Sequence, residues 1–167
     1  DAAMVQQLDA GMLSLAKVIE DKYRINIVPI AGAGAAGGMG GAFCAFLHAT
    51  LKRGIDMVLD AIDFNAIIQG ADLIITGEGK IDFQTAKGKT AAGILARAKQ
   101  QGIPVMAIGG CVEMCDSVQY MGFAEIRPIL EEKVPLEIAM NPTFAANNVE
   151  NTVRKIVATY FKNNPEK

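Results

Sequence analysis

The sequence has few or none of the residue types on which several classes of protein depend. Its 167 residues include no tryptophan, one histidine and three cysteines. An odd number of cysteines provides no disulfide framework of the kind found in small secreted proteins. Cys111 and Cys115 lie four positions apart, and His48 alone cannot complete a zinc site with them. We therefore expect reduced, structural thiols in a cytoplasmic protein.

Charge and hydropathy argue against two classes of partner. Lys and Arg number 16 against 18 Asp and Glu, and they form no basic stripe, so nucleic acid is not an expected partner. No apolar run reaches the roughly 18–20 residues that a membrane helix needs, so we expect no membrane association. The chain is instead 51% hydrophobic, with 17 glycines. Small and aliphatic side chains of this kind are typical of α/β layers.

The order of the apolar segments predicts parallel βαβ units. Short buried strands are expected at residues 72–76, 105–108 and 124–126, with a helix at 90–101 between the first two. We predict a mainly parallel sheet with helices on both faces, in Rossmann-like layers, and a right-handed crossover between the first two strands. Residues 25–30 are expected to be a strand or extended segment. Further helices are predicted at residues 2–21, 42–51, 55–62, 64–68, 113–120, 136–140 and 145–161.

A glycine-rich segment, GAGAAGGMGG, occupies residues 32–41 and fits G-x-G-x-x-G at its start. Glycines allow backbone N–H groups to approach a phosphate, and a following helix N-terminus adds positive potential. A dinucleotide site would also need an acidic residue about 20 positions later, at the end of a strand. Asp56 has that spacing but lies in a stretch with helical periodicity. A phosphate cradle, an NAD site and a tight turn packed on another backbone therefore all remain open.

A second segment, TGEGKIDFQTAKGKT, follows the predicted strand 72–76 and is expected to be a loop at its carboxyl end. Ligands bind at that end of strands in open α/β sheets. The loop combines carboxylates, cations, glycines and hydroxyls, which is the set that phosphoryl transfer requires. Gly88, Lys89 and Thr90 resemble the end of a P-loop, but the leading glycine of that motif is replaced by Phe83. A solvated charged loop is the alternative.

Together with residues 29–43, 53–62, 88–99 and 103–110, these segments resemble the bacterial glycerate kinase family, in the branch that includes glyoxylate- and glucarate-pathway enzymes. The order and spacing agree over most of the chain, and the resemblance fades after about residue 122. The segment at residues 76–85, with the pattern TGEG-K/R-x-D-x-Q-T, is the most specific part of the match.

The resemblance implies a two-domain α/β kinase that uses ATP and Mg²⁺ to phosphorylate D-glycerate to 2- or 3-phosphoglycerate. Residues 1–167 would be its C-terminal portion, forming one α/β domain or the larger part of one. The family's opening Asp-Ser-Phe-Lys-Gly-type motif is not in this sequence. The missing N-terminal half is therefore an expected partner, and the isolated chain is expected to be inactive or nearly so. A homodimer is left open.

Site residues are carried over from the resemblance only where the motif matches: Gly77, Glu78, Gly79, Lys80, Asp82, Gln84 and Thr85. Their roles are inferred from chemistry. We predict catalytic roles for Asp82, Glu78 and Lys80, with Asp82 preferred as the general base, and Mg²⁺ binding by Glu78 and Asp82. The predicted ATP-binding residues are Gly32, Gly34, Gly37, Gly38, Gly77, Gly79, Gln84, Thr85 and Lys89. The alternatives are an NAD-dependent oxidoreductase that uses the GAGAAG segment and a non-catalytic α/β binding module.

Overall fold

A computed structural model describes residues 1–132 and 134–166 of the chain. The chain divides into two compact units, Asp1–Lys52 and Arg53–Lys167. Within the described ranges, none of the helices combines the length and hydropathy that a membrane span requires. The assignment of residues 1–167 to one domain, or to the larger part of one, stays a prediction.

The first unit is helical. Helix α1 (Ala2–Tyr23) begins at Asp1, whose side chain accepts a hydrogen bond from the Met4 N–H at 2.8 Å, and this capping stabilises the first turn. Helix α2 is assigned to Ala35–Leu47. Ile19 and Ala16 of α1 pack against Ile27 and Ala45 to form the small core of this unit.

Two segments of the first unit differ from the sequence-based expectation. Residues 25–30 form no strand, because the chain turns there: the Ile30 N–H donates to the Ile27 carbonyl at 3.2 Å and the Val28 N–H to the Asn26 side chain at 3.0 Å. Helix α2 ends at Leu47 rather than at residue 51. His48 has a left-handed backbone with φ 52°, which terminates the helix.

The second unit contains a parallel three-stranded sheet in the order β1-β2-β3. Its strands are β1 (Ile74–Ile81), β2 (Val105–Val112) and β3 (Glu125–Pro128). The predicted pairing of the first two strands is confirmed: they are parallel neighbours, in register from Ile74 opposite Val105, with a helix between them in sequence. The helices are α3 (Gly54–Ala61), α4 (Phe64–Ile67), α5 (Thr90–Gln100), α6 (Asp116–Gln119), α7 (Leu136–Ala139) and α8 (Pro142–Asn163).

Alternate side chains of the central strand β2 face opposite sides of the sheet and enter different cores. Val105 packs with Leu95 and Ala98 of α5. Met106 and Ile108, which point to the other side of the sheet, pack with Ile156 and Tyr160 of α8. The prediction of a parallel sheet flanked by helices is therefore confirmed.

Both long strands extend beyond the predicted ends. The expected loop after residue 76 is still strand as far as Ile81, and β2 continues past the glycine pair Gly109 and Gly110 to Val112. Glycine at a predicted strand end suggested a loop, but here it allows two backbones to approach closely. A Cβ atom on Gly110 would lie 2.8 Å from the Gly79 carbonyl oxygen. The prediction of a loop was therefore wrong for residues 77–81, which belong to strand β1.

Candidate functional site

The most polar segment predicted from the sequence lines a cleft beside the carboxyl half of β1. The cleft has a volume of about 490 Å³ and lies between β1, helix α3 and the start of α5. Of the predicted site residues, it brings together Gly77, Glu78, Gly79 and Lys89; it is also lined by Ile55, Gly88 and Thr90. Strand β1 forms one wall of the cleft, and its parallel pairing with β2 at Gly77 and Glu78 holds that wall in place.

Glu78 joins the strand to the helix. One carboxylate oxygen, Oε1, accepts a hydrogen bond from the backbone N–H of Ala91 at 3.0 Å, and Oε2 accepts one from the Thr85 hydroxyl at 3.0 Å. Ala91 lies in the first turn of α5, where N–H groups have no partner within the helix. The carboxylate therefore caps α5 from a neighbouring strand and complements the helix dipole.

Asp82 begins the true loop after β1 and is 7% exposed. Its Oδ1 accepts a hydrogen bond from the Gln84 N–H at 2.8 Å, and its Oδ2 lies 3.6 Å from the Lys80 ammonium. The Asp82 N–H in turn donates to the hydroxyl of Thr85, which is fully buried. Thr85 thus links Glu78 and Asp82 through a single hydroxyl.

These contacts shift the pKa values of Asp82 and Lys80. The hydrogen bond from the Gln84 N–H, assisted by the charges of Lys80 and Lys89, holds the pKa of Asp82 below its ordinary value. The pKa of Lys80 is raised, chiefly by its hydrogen bond to Glu113 at 2.9 Å. At neutral pH, Asp82 is therefore a firmly ionised carboxylate next to a firmly protonated lysine. Such a carboxylate is a poor proton acceptor and a good partner for cations.

The donor set can be compared with the needs of Mg²⁺, which is usually held by one or two carboxylates together with substrate phosphates. No group of three or more potential metal-ligating His, Cys, Asp or Glu side chains occurs in residues 1–132 and 134–166. Asp82 fits the role of a single carboxylate ligand, because only one of its oxygens is held by a backbone donor. Glu78 fits it less well, because both of its oxygens are already engaged.

The glycine segment of the first unit is folded tightly on itself. A Cβ atom at Gly40 would lie 2.3 Å from the Gly32 carbonyl oxygen, and one at Gly41 would lie 2.7 Å from a side-chain carbon of Ile27. Ala36, Gly37 and Gly38 have positive φ angles, so regular helix begins only after them. Of the four glycines predicted here to bind ATP, three have positive φ angles (Gly32, Gly37 and Gly38), whereas Gly34 has φ −76°. A phosphate-binding role for these glycines, in one cleft with Glu78, stays a prediction.

Asp56 distinguishes two of the interpretations of the glycine segment. An NAD site would place it at the end of a strand. It lies instead in the first turn of helix α3 and pairs with Arg53, whose Nε is 2.7 Å from its Oδ2. The geometry therefore does not favour the oxidoreductase alternative.

The sequence model of the glycerate kinase family matches residues 1–161. The chain belongs to the glycerate kinase family. The matched region includes all of residues 78–85 and the glycine segment, as the resemblance predicted, and it continues well past residue 122, where the resemblance was expected to fade.

Individual members of the glycerate kinase family agree over nearly the whole chain. A glycerate kinase of Bacillus subtilis (strain 168) is 42% identical over 159 residues, covering 95% of this chain and 41% of the relative. The glycerate 2-kinase of Escherichia coli (strain K12) is 35% identical over 158 residues, covering 94% and 41%. The crystal structure of a protein from Salmonella typhimurium LT2 assigned as glycerate kinase 2 has 34% identity and a TM-score of 0.66, covering 98% and 41%. The chain thus spans about two-fifths of the length of these relatives.

Sequence reasoning missed two participants in this glycerate kinase segment. Glu113, after β2, is the closest ion-pair partner of Lys80, and the Ala91 N–H is a donor to Glu78. A backbone N–H leaves no trace in the sequence, although the capping need of a predicted helix at residue 90 is a general signal. The pairing of Lys80 with Glu113 follows from parallel strands of equal length, because Lys80 lies opposite Cys111.

Proposed function

We propose that this chain is the C-terminal portion of a longer kinase that transfers the γ-phosphate of ATP to a hydroxyl of D-glycerate. Membership of the glycerate kinase family over residues 1–161 carries this proposal. The cleft is consistent with this proposal, because it lies at the carboxyl half of a parallel strand and is lined by the Glu78 carboxylate and by Lys89. The Lys80–Asp82 pair follows on the same stretch of chain. A cytoplasmic location belongs to the same proposal.

Four residues of the second unit have separate proposed roles. Lys89, at the start of α5, and Lys80 supply positive charge toward phosphate oxygens. Asp82 remains ionised and is the better candidate for holding Mg²⁺ bound to the nucleotide, where the ion would offset phosphate charge. Glu78 orients the start of α5 and, through Thr85, the Asp82 loop.

Asp82 is better suited to binding a cation than to accepting a proton. The sequence favours Asp82 as the general base, but a base works best with a pKa near the working pH, and that of Asp82 is lowered. Phosphoryl transfer depends mainly on positioning and charge stabilisation, so an ionised carboxylate contributes without taking a proton early. We therefore propose that Asp82 binds and orients, and that Glu78 is a positioning residue.

A direct assay tests the proposal. The complete kinase that contains this chain should form ADP from ATP only when D-glycerate is present, with turnover of about 1–100 s⁻¹. The 167-residue chain alone should be inactive or nearly so, because in-line positioning of donor and acceptor supplies much of the rate. Reduction of NAD⁺ in the presence of D-glycerate, without ADP formation, would support the oxidoreductase instead.

A further inference from the structure

A row of pockets follows the carboxyl ends of the three strands. The first is the cleft beside Glu78. The second, of about 220 Å³, shares Gly77, Glu78 and Gly79 with it and is also lined by Gly109, Gly110 and Ile129. The third, of about 300 Å³, shares Ile129 with the second and lies between the end of β3 and helix α8. Adjacent strands are about 4.8 Å apart, so the row extends roughly 10 Å from β1 to β3.

The third pocket is polar and is not part of the motif. Helix α8 lines it with side chains at the spacing i, i+3, i+4 and i+7, which places them on one face: Asn148, Asn151, Thr152 and Lys155. Such spacing usually marks an apolar face turned to a core. Here the apolar positions Val153 and Ile156 pack onto the sheet, and the polar face borders the pocket instead.

Arg127 of β3 forms the opposite wall. Its side chain is 33% exposed, and its Nε donates to Glu125, two residues earlier on the same strand. In the described residues, no hydrogen bond involves its two terminal Nη groups, which form a fork suited to a carboxylate. Glu125 therefore fixes the guanidinium and leaves the binding end of the fork available.

Lys155 supplies a second positive charge, and its ion pair with Glu131 is weak. It pairs with Glu131 at 2.8 Å, but the two side chains are 61% and 83% exposed. Exposed pairs of this kind contribute little stability, so a ligand anion can replace Glu131 at low cost. The acidic partners Glu125 and Glu131 leave the pocket without the positive surplus that a triphosphate would need. A small, singly charged anion is the better match.

We infer that the pocket of Arg127, Asn148, Asn151, Thr152 and Lys155 binds the carboxylate and hydroxyl groups of a small hydroxy acid. The inference rests on the proposed function, since the acceptor D-glycerate is such an acid. Arg127 and Lys155 pair with the carboxylate, and the Asn151 amide and the Thr152 hydroxyl pair with hydroxyl groups. The Asn148 side chain contributes its amide oxygen, because its Nδ2 already donates to the Phe144 carbonyl at 2.8 Å. The acceptor would then lie at the β3 end of the row, and the nucleotide phosphates near Lys89 at the β1 end.

The test is a binding titration of the isotopically labelled 167-residue chain, followed by NMR. D-glycerate should shift the Arg127 side-chain N–H signal and the Asn148 and Asn151 amide signals. Propionate, which lacks the hydroxyl groups, should bind more weakly at the same signals. Arg127→Gln should weaken D-glycerate binding by roughly 10- to 100-fold, the scale for losing a hydrogen bond to a charged group. Lys155→Gln should weaken it several-fold.

Arg154→Gln is the matched control, because Arg154 is on the same helix, is 74% exposed and pairs only with Glu150 among the described residues. It should leave D-glycerate binding unchanged. The backbone spectrum of Arg127→Gln is compared with that of wild type to verify its fold, and Lys155→Gln provides a second variant at an exposed position.

Three results would overturn the inference. D-glycerate could shift none of these signals, Lys155→Gln and Arg127→Gln could bind it as well as wild type, or inorganic phosphate could shift the Arg127 signal more strongly than D-glycerate does. Because the readout is binding, these outcomes are distinct from failure of the kinase assay.

Discussion

The carboxylate of Glu78 on strand β1 caps helix α5 by accepting the Ala91 N–H at 3.0 Å. The two residues are 13 positions apart, and no other side chain caps the start of this helix in the described structure. The Glu78 carboxylate therefore stabilises the fold around the cleft. This relationship leads to the first of five predictions.

Glu78→Gln should destabilise the chain by about 1–2 kcal/mol, because the amide loses the charge at the helix N-terminus and can satisfy only one of the two donors. Urea unfolding followed by circular dichroism measures the change. Glu150→Gln is the control, since Glu150 is an exposed carboxylate in a surface pair with Arg154. Equal midpoints for the two variants would mean that the cap contributes nothing.

Thr85→Val should destabilise the chain by about 1–3 kcal/mol, because it removes the hydroxyl that donates to Glu78 and accepts from the Asp82 N–H. Thr85 is fully buried, so water cannot easily replace the lost partner. Thr85→Ser keeps the hydroxyl and loses one methyl group, for which about 0.8 kcal/mol is expected. Urea unfolding compares the two variants. If serine costs as much as valine, the packing of the methyl group rather than hydrogen bonding accounts for the stability that Thr85 contributes.

Gly40→Ala should destabilise the first unit by about 1–3 kcal/mol, because the new Cβ would meet the Gly32 carbonyl oxygen at 2.3 Å and the backbone must move. Gly11→Ala is the control. A methyl group at Gly11, within α1, would meet no atom of another part of the chain within 4 Å, so alanine should stabilise the helix by about 0.5–1 kcal/mol. Thermal unfolding of both variants should therefore shift in opposite directions, and shifts of the same sign would contradict the packing argument.

The parallel sheet was predictable because buried strands rich in Ile and Val alternate with a helical pattern. The position of the charged segment at a strand's carboxyl end was predictable for the same reason. The end of β1 was not, because Gly77 and Gly79 have the composition of a loop and remain in strand only through pairing with β2. The partners of Glu78 and Lys80 also escaped prediction, since the Ala91 N–H and Glu113 reach them through tertiary packing. Residues 25–30 have a strand-like composition but no strand to pair with in the described structure.

The stability of the chain should depend on Asp82 in acid. Its folded-state pKa lies below the unfolded value of about 3.9, so the ionised carboxylate stabilises the fold above that pH. This stabilisation is lost as the pH falls through the folded-state pKa. Urea midpoints measured between about pH 2 and pH 7 should therefore fall less steeply for Asp82→Asn than for wild type. Parallel profiles would mean that Asp82 is no more acidic in the folded chain than in the unfolded one.

The last prediction concerns Asp82 in the complete kinase. Asp82→Asn keeps the size of the side chain and removes the charge that we propose holds Mg²⁺, while Lys80 keeps its closer partner Glu113. We expect kcat to fall by about 10²–10³-fold, the scale of losing one group that stabilises charge in a transition state, while the circular dichroism spectrum is unchanged. Because the pKa of Asp82 is lowered, the wild-type kcat should show no inflection from this residue between about pH 5 and pH 9. An inflection in that range that disappears in Asp82→Asn would identify Asp82 as a general base after all. Near-native kcat with normal Mg²⁺ dependence would instead remove Asp82 from the catalytic machinery and place the essential carboxylate outside residues 1–167.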